Sequence, residues 1–434
     1  MGRFLADTRP LQNDHFRRLL TANVITVIGA QLTVVAVPAQ IYAITGSSAY
    51  VGLSGLFGLV PLIVFGLWGG ALADHFDRRT ILICTTLGLI ATSIGFWAQA
   101  AAHLDSVWFL LCLFSVQQAF LAVNQPARSA ALPRLLPPEL LPAANALSMT
   151  VLMAGGIAGP LVGGALIPPL GFAWLYGIDA LTLLATLRAV VLLPRLPVVG
   201  MVGTPGLRSV LGGFAYLATQ PVLLMSFLVD LIAMVFGMPR ALFPQLAHEQ
   251  FGGPTDGGLA FALLFAAIPI GAVLGGVFSG WVSRVERQGL AVVIAVVVWG
   301  AAITGFGLAT AAASPRASMA WLAVAVACLI AGGAADMSSA AFRTSMLQTA
   351  ASDEVRGRLQ GVFIVVVVGG PRIADVLHGG SASLIGAPTT AAAGGVLVIA
   401  LTILAALAAP AFVRYRLTQT DHGNEGGNQG QVRR

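Results

Sequence analysis

Gly70-Ala71-Leu72-Ala73-Asp74-His75-Phe76-Asp77-Arg78-Arg79 lies between two apolar runs of membrane-spanning length. It gathers two Asp, a His and an Arg pair in a chain where charged residues make up 9% of positions. Ionisable side chains so concentrated mark a turn outside the hydrocarbon, and Arg beside a membrane end assigns that turn to the cytoplasm. Outward from this turn, apolar runs recur at the length of roughly 20 residues that a helix needs to cross about 30 Å of hydrocarbon. Twelve are expected, near 18–44, 51–73, 80–102, 107–131, 140–166, 171–193, 221–243, 258–282, 289–311, 317–341, 358–386 and 389–412.

With 57% hydrophobic residues and a mean hydropathy of +0.88, the chain carries too much apolar surface for water and takes lipid as its solvent. The net charge of +6 is therefore a topology signal and not a nucleic-acid signal. All 23 basic residues are Arg. Without Lys there is no P-loop to hold a nucleotide's phosphates and no amine for Schiff-base chemistry. All but Arg240, Arg316 and Arg372 fall on one face of the predicted crossings, which places both termini and the Gly70 to Arg79 turn in the cytoplasm. Cys84, Cys112 and Cys328 sit in apolar runs without paired spacing, so neither a disulfide framework nor a metal site is expected, and no cofactor is implied. An integral-membrane transferase would need carboxylates clustered in one loop for a metal, and the chain has no such cluster. It reads as no enzyme.

The longest interior break in hydropathy, residues 194–220, separates six crossings (1–193) from six (221–413), with a polar tail at 414–434 expected to be disordered. Within the break, 207–220 has the character of an interfacial helix. The halves are self-similar: Arg128, Leu132 and Glu139 recur at one offset as Arg343, Leu347 and Glu354. With a one-residue slip, Gly163 and Gly164 recur as Gly379 and Gly380.

Gly70, Asp74, Arg78 and Arg79 resemble the loop between helices 2 and 3 of the major facilitator superfamily, with His75 and Asp77 departing from its usual residues. Two parallel six-helix repeats joined by a linker are the architecture of that superfamily. The resemblance implies an all-α fold of twelve transmembrane helices in two pseudo-twofold bundles. It also implies that Asp74 latches the cytoplasmic gate, with Arg128 and the start of span 11 near Gly357 as partners. Gly155, Gly159, Pro160, Gly163 and Gly164 in span 5 resemble the antiporter motif of exporters, although dense glycine also serves plain helix packing. Pro126 to Pro133, Ala143 to Leu147, Val35 to Ile41 and Met346 to Thr349 resemble the efflux branch that includes the enterobactin exporter.

Ionisable residues at mid-bilayer cost about 2.5 to 3.5 kcal/mol on the insertion scale and persist only with a partner or water. Asp179, Asp230, Arg372 and Asp375 stand out, and the three acids are the candidate proton carriers. Asp230 has no opposite charge within a turn of its own helix. Arg372 and Asp375, three apart, either neutralise each other or turn apart. Asp336 is expected to pair locally with Arg343. Gly369-Gly370-Pro371 is expected to interrupt span 11 as the repeat partner of the span 5 motif. For an anionic aromatic substrate the candidate contacts are Arg372, Arg240, Phe57, Phe236 and Phe265.

The expectation is a proton-coupled exporter of a small amphipathic molecule, a catecholate siderophore among the options, in a bacterial-type plasma membrane with lipid, substrate and protons as partners. A multidrug exporter of the same fold and a non-transporting membrane receptor or scaffold remain open alternatives.

Overall fold

The computed structural model describes residues 7–196, 215–314, 318–350 and 353–416, with side chains except at 67–75, 283, 348–350 and 353–368. The interfacial segment and the polar tail read from the sequence fall largely outside these residues; of the former, 215–218 is helical.

The first half contains α1 (Asp14–Thr45), α2 (Ser48–His75), α3 (Arg78–Ala101) and α4 (Val107–Leu135). Polar side chains fix where they start. Asn13 caps α1 by accepting from the backbone N–H of His15 and Phe16 at 3.0 and 3.1 Å, while its amide donates to the Leu135 carbonyl at the end of α4. Asp77 caps α3 by accepting from Arg79 N–H at 2.8 Å and also takes a bond from Leu196 N–H at 3.3 Å. That accounts for an acid where the resembled loop has Gly: Asp77 ties the α2–α3 turn to the chain leaving the first half.

A helical stretch, Leu141–Val191, is broken at Gly171, whose φ of 79° is a conformation that side chains with a Cβ resist. The break yields α5 (141–170) and α6 (172–191). The second half contains α7 (Pro221–Gly237), α8 (Phe243–Glu249), α9 (Leu259–Val277), α10 (Gln288–Ala312), α11 (Ser318–Ala350), α12 (Asp353–Ile385), α13 (Ala387–Ala408) and α14 (Pro410–Val413). Ten helical stretches among the described residues are long and apolar enough to cross a membrane. One of them holds both α5 and α6, and α12 has the length of a further crossing, consistent with twelve.

Two expectations about individual spans are corrected. Span 7 stops at Gly237, because Pro239 has no N–H to continue the ladder, and a short turn at Arg240–Leu242 leads into α8. Span 11 is not interrupted at Gly369-Gly370-Pro371: α12 runs through all three, and the glycines instead admit a neighbour, since a Cβ on Gly370 would lie 2.8 Å from Met234 Cβ of α7.

The helices invert the pattern of a soluble protein. Leu181, Val277, Leu404 and Leu407 are among the most exposed residues, while Gln40, Gln99, Thr86 and Asp179 are buried. In lipid, packing and polar contacts hold helices together. Gln40 of α1 and Gln99 of α3 exchange amide bonds at 2.9 and 3.3 Å, and the Tyr176 hydroxyl of α6 donates to Gln40 Oε1 at 2.9 Å. In the second half, Trp299 of α10 donates to the Ala233 carbonyl of α7 at 3.3 Å and lies against Gly237 and Gly332. The two halves meet mainly where α2 faces α12 and α5 faces α9.

Candidate functional site

Both inter-half seams are built from glycine. On α5, a Cβ on Gly155 would lie 2.7 Å from Val27, one on Gly159 would overlap Gln31, and one on Gly163 would lie 3.2 Å from Leu32, so this face is filled by α1. Gly164 faces the other half: its Cβ would come within 2.7 Å of Ala262 on α9, and its carbonyl accepts from Gly258 N–H at 2.9 Å. Pro160 is buried beside them without breaking the helix. The exporter-like motif is thus a packing surface in which one residue, Gly164, sets the α5–α9 approach.

The α2–α12 seam was not singled out in the sequence. Gly52, Gly55 and Gly58 form a stripe on α2, and Cβ atoms there would lie 3.1 Å from Gly379 Cα, 2.8 Å from Asp375 Cβ and 3.2 Å from Arg372 Cζ. The absent side chains let the charged face of α12 press against the first half.

Between the halves lies a cavity of about 160 Å³ whose wall includes Asp179, Arg240, Phe265, Arg372 and Asp375. Five separately chosen candidates therefore converge on one space. Thr33 of α1, Ser54 of α2, and Phe114, Gln117 and Gln118 of α4 complete the polar and aromatic lining. Arg372 turns away from Asp375 and across to α4, where its guanidinium donates to Gln118 Oε1 at 3.2 Å and sits 5.3 Å from the centroid of the Phe114 ring. Arg372 and Asp375 form no ion pair among the described side chains. Arg240, expected at the outer end of span 7, instead enters the cavity wall because α7 ends early, and it acts electrostatically on both Arg372 and Asp375. Its Nε is buried without a partner.

On the opposite wall, Asp179 Oδ2 accepts from the Thr33 and Ser93 hydroxyls, each at 2.8 Å, leaving Oδ1 without one. Phe265 packs edge-on against Phe243 with ring centroids 5.2 Å apart. Phe57 and Phe236 are not among the cavity-lining residues. Phe57 packs on Trp108 at 6.3 Å, and the Phe236 carbonyl lies 3.0 Å from His378 Nε2.

Asp230 departs most from expectation. A partner four helices along the chain supplies the charge its own helix lacks: Arg343 of α11 forms an ion pair with Asp230 of α7, both side chains being almost fully buried. Arg343 Nε also donates to Ser339 Oγ at 3.2 Å, and Asp336 stands within electrostatic reach of both partners. Asp336 thus belongs to this cluster as a neighbour, and Arg343 bonds to Asp230 instead. The cluster lies outside the cavity wall.

At the cytoplasmic turn, Arg78 donates to the Ala130 carbonyl of α4 at 2.9 Å and Arg79 to the Val191 carbonyl of α6 at 2.6 Å, so the pair binds the ends of neighbouring helices. Arg128 is half-buried and lines a small pocket with Leu82, Asn124 and Thr186. The side chains of Gly70, Asp74 and the Gly357 region, and with them the proposed latch, lie outside the described residues. Among the described residues no group of His, Cys, Asp and Glu is arranged to hold a metal.

Comparison with known proteins places this geometry in a lineage. A model of the transmembrane secretion effector family matches residues 6–427. Enterobactin exporters EntS from Shigella boydii serotype 18 and from Escherichia coli O157:H7 are each 30% identical to the chain, with 93% of it and 94% of the relative aligned. Among solved structures, the nucleoside transporter NupG matches at a TM-score of 0.71 and 13% identity, covering 93% of this chain and 100% of that one. A bacterial homologue of ferroportin in its inward-facing state matches at 0.65 and 16%, covering 92% and 98%. A D-xylose–proton symporter matches at 0.68 and 12%, covering 91% and 97%. At these identities the structural matches establish the fold. The family model and the curated relatives span nearly the whole length, and the chain belongs to the transmembrane secretion effector family of the major facilitator superfamily.

Proposed function

We propose that the protein is a proton-coupled exporter of a small anionic aromatic molecule of the catecholate siderophore class. It would work by alternating access, the two halves rocking about the central cavity while both termini stay in the cytoplasm. The observation that carries this reading is the cavity wall. Arg240 and Arg372 offer two cations against the single carboxylate Asp375 on their side, and Phe114 and Phe265 offer ring faces and edges for stacking. The relatives named enterobactin exporters support both the direction and the substrate class.

Asp375 and Asp179 are the proton carriers in this reading, because each borders the cavity from a different half and neither is held by an ion pair. Moving one charge across 100 mV is worth about 2.3 kcal/mol, enough to drive accumulation when its return is tied to outward substrate movement. Asp230 holds α7 to α11 instead of carrying the proton. In this reading the two six-helix bundles are joined by the segment 194–220.

The experiment is uptake into everted membrane vesicles of a radiolabelled catecholate triester, its neutral methylated analogue and a cationic drug. Concentration of the anionic catecholate alone supports the reading. Preference for the cationic drug would favour the multidrug alternative, and no movement of any solute would favour a non-transporting membrane protein.

A further inference from the structure

His378 lies one turn beyond Asp375 on α12, in a place that no charge or motif in the sequence marks. It is buried, and each of its ring nitrogens meets a backbone carbonyl: Nδ1 is 2.9 Å from the Met238 oxygen and Nε2 is 3.0 Å from the Phe236 oxygen. Both carbonyls belong to the end of α7, where Pro239 stops the helix and leaves its last carbonyls without helical donors. A carbonyl only accepts. A neutral imidazole has one N–H and can satisfy one of these oxygens, whereas an imidazolium has two and satisfies both.

We infer that His378 is a further proton-binding site of the transport cycle, whose protonated ring clamps the outer end of α7 to α12 and whose deprotonation frees that end to open the cavity outward. The inference rests on the proton-coupled reading and couples His378 to one of its two acids, Asp375. A buried cation needs a countercharge, and Asp375 supplies one at the i, i+3 spacing on the same helix and within electrostatic reach. Asp375 also feels Arg240 and Arg372, so the four form a network of one acid and three bases, in which Asp375, Arg240 and Arg372 line the cavity and His378 stands behind them.

The elements packed on the ring add no further charge. From α13, Gly394 faces Nε2 so closely that a Cβ there would lie 2.9 Å from it, and α13 carries no ionisable residue. The one ionisable residue of α7, Asp230, is bound to Arg343. On α2 the residues that meet α12 at this level are Ser48 and Gly52, neither of them ionisable.

The proton movement balances simply. One N–H proton of the imidazolium leaves through Asp375 to the cavity, the ring keeps the other, and one carbonyl at the end of α7 loses its donor. That carbonyl then needs water, which an opened outer end provides. The residues just past the clamp, Arg240 and Ala241, already line the cavity, so loosening Met238 alters the cavity wall directly.

The test reads the ring and the gate separately. Purified protein carrying ¹⁵N-labelled histidine is followed by NMR across about pH 5 to 8, where an imidazole titrates. The chain has six His, and the His378 signal is identified by its loss in H378Q. If H378Q does not fold, the signal is identified as the one that survives when the other five are replaced. The expected result is two protonated ring nitrogens at the acid end and loss of one proton within the window. In parallel, A241C is introduced after replacing Cys84, Cys112 and Cys328. Its labelling by an impermeant maleimide from outside is measured relative to denatured protein at each pH.

Labelling should rise along the His378 titration and become independent of pH when H378Q is added. A ring that stays neutral throughout, or labelling that follows the same pH curve with and without His378, would overturn the inference. The NMR arm needs no substrate and no transport. A titrating His378 in a protein without proton-coupled flux would therefore sink the coupling mechanism and the part of His378 in it while leaving the pH-dependent clamp, and a neutral ring would sink this inference alone.

Discussion

Removing the carboxylate in Asp230→Asn leaves the Arg343 guanidinium with its side chain 9% exposed and its main partner neutral. Breaking one member of a buried ion pair costs about 3 to 5 kcal/mol, because the remaining charge is stranded away from water. Asp336 and the Ser339 hydroxyl remain in reach of Arg343, so the lower end, about 3 kcal/mol, applies. At about 1.4 kcal/mol per tenfold change, that is roughly a hundredfold shift toward unfolded or misassembled protein. Arg343→Met should cost as much or more, since it leaves Asp230 and Asp336 as two neighbouring acids.

The double variant Asp230→Leu/Arg343→Met removes both charges and both desolvation costs, and replacing a whole buried pair by apolar residues is often neutral or stabilising by 1 to 4 kcal/mol. The assay is a double-mutant cycle of thermal denaturation in detergent, with transport measured on the variants that fold. The single variants should lower the transition, and the double should recover it and still transport. A double variant that folds as well as the parent but moves no substrate against its gradient would refute this reasoning and return Asp230 to the proton path. Single variants with unchanged stability would refute the energetic half.

The cavity predicts two further outcomes. Arg372→Gln keeps a donor for Gln118 but removes the cation, so it should weaken binding of an anionic catecholate by about tenfold to a hundredfold while leaving binding of the methylated analogue within about threefold, read by tryptophan-quenching titration. Gly164→Val, whose side chain would collide with Ala262 of α9, should abolish transport without loss of membrane insertion, whereas Gly156→Val, where a Cβ meets open space, should leave transport near the parental rate in vesicle uptake.

The succession of membrane-length helices was legible because hydropathy is a local signal that lipid enforces without tertiary help. Asp179, Arg372 and Asp375 also stood out, since a charge inside a span is rare, and with Arg240 they line one cavity. Their partners were not legible. Gln118 and Phe114 lie some 250 positions before Arg372, and nothing local distinguishes them from other residues of α4. The same distance effect hid the partner of Asp230, whose countercharge arrives from α11, and the setting of Pro371, which sits inside an unbroken helix packed closely on α7. The Gly52, Gly55 and Gly58 stripe was visible as letters, but its meaning depends on which helix it faces. His378 was passed over because its function rests on two carbonyls exposed by a helix end that the sequence placed several residues later.

The central claim is that outward substrate movement is tied to inward proton movement through an acid in the cavity. The most direct measurement uses protein reconstituted in one orientation into liposomes containing a pH-sensitive dye, with a catecholate gradient imposed across the membrane and no initial pH gradient. The account predicts proton movement opposite to catecholate flow, abolished in Asp375→Asn while catecholate binding persists. Catecholate flow with no proton movement, or with protons travelling in the same direction, would contradict it.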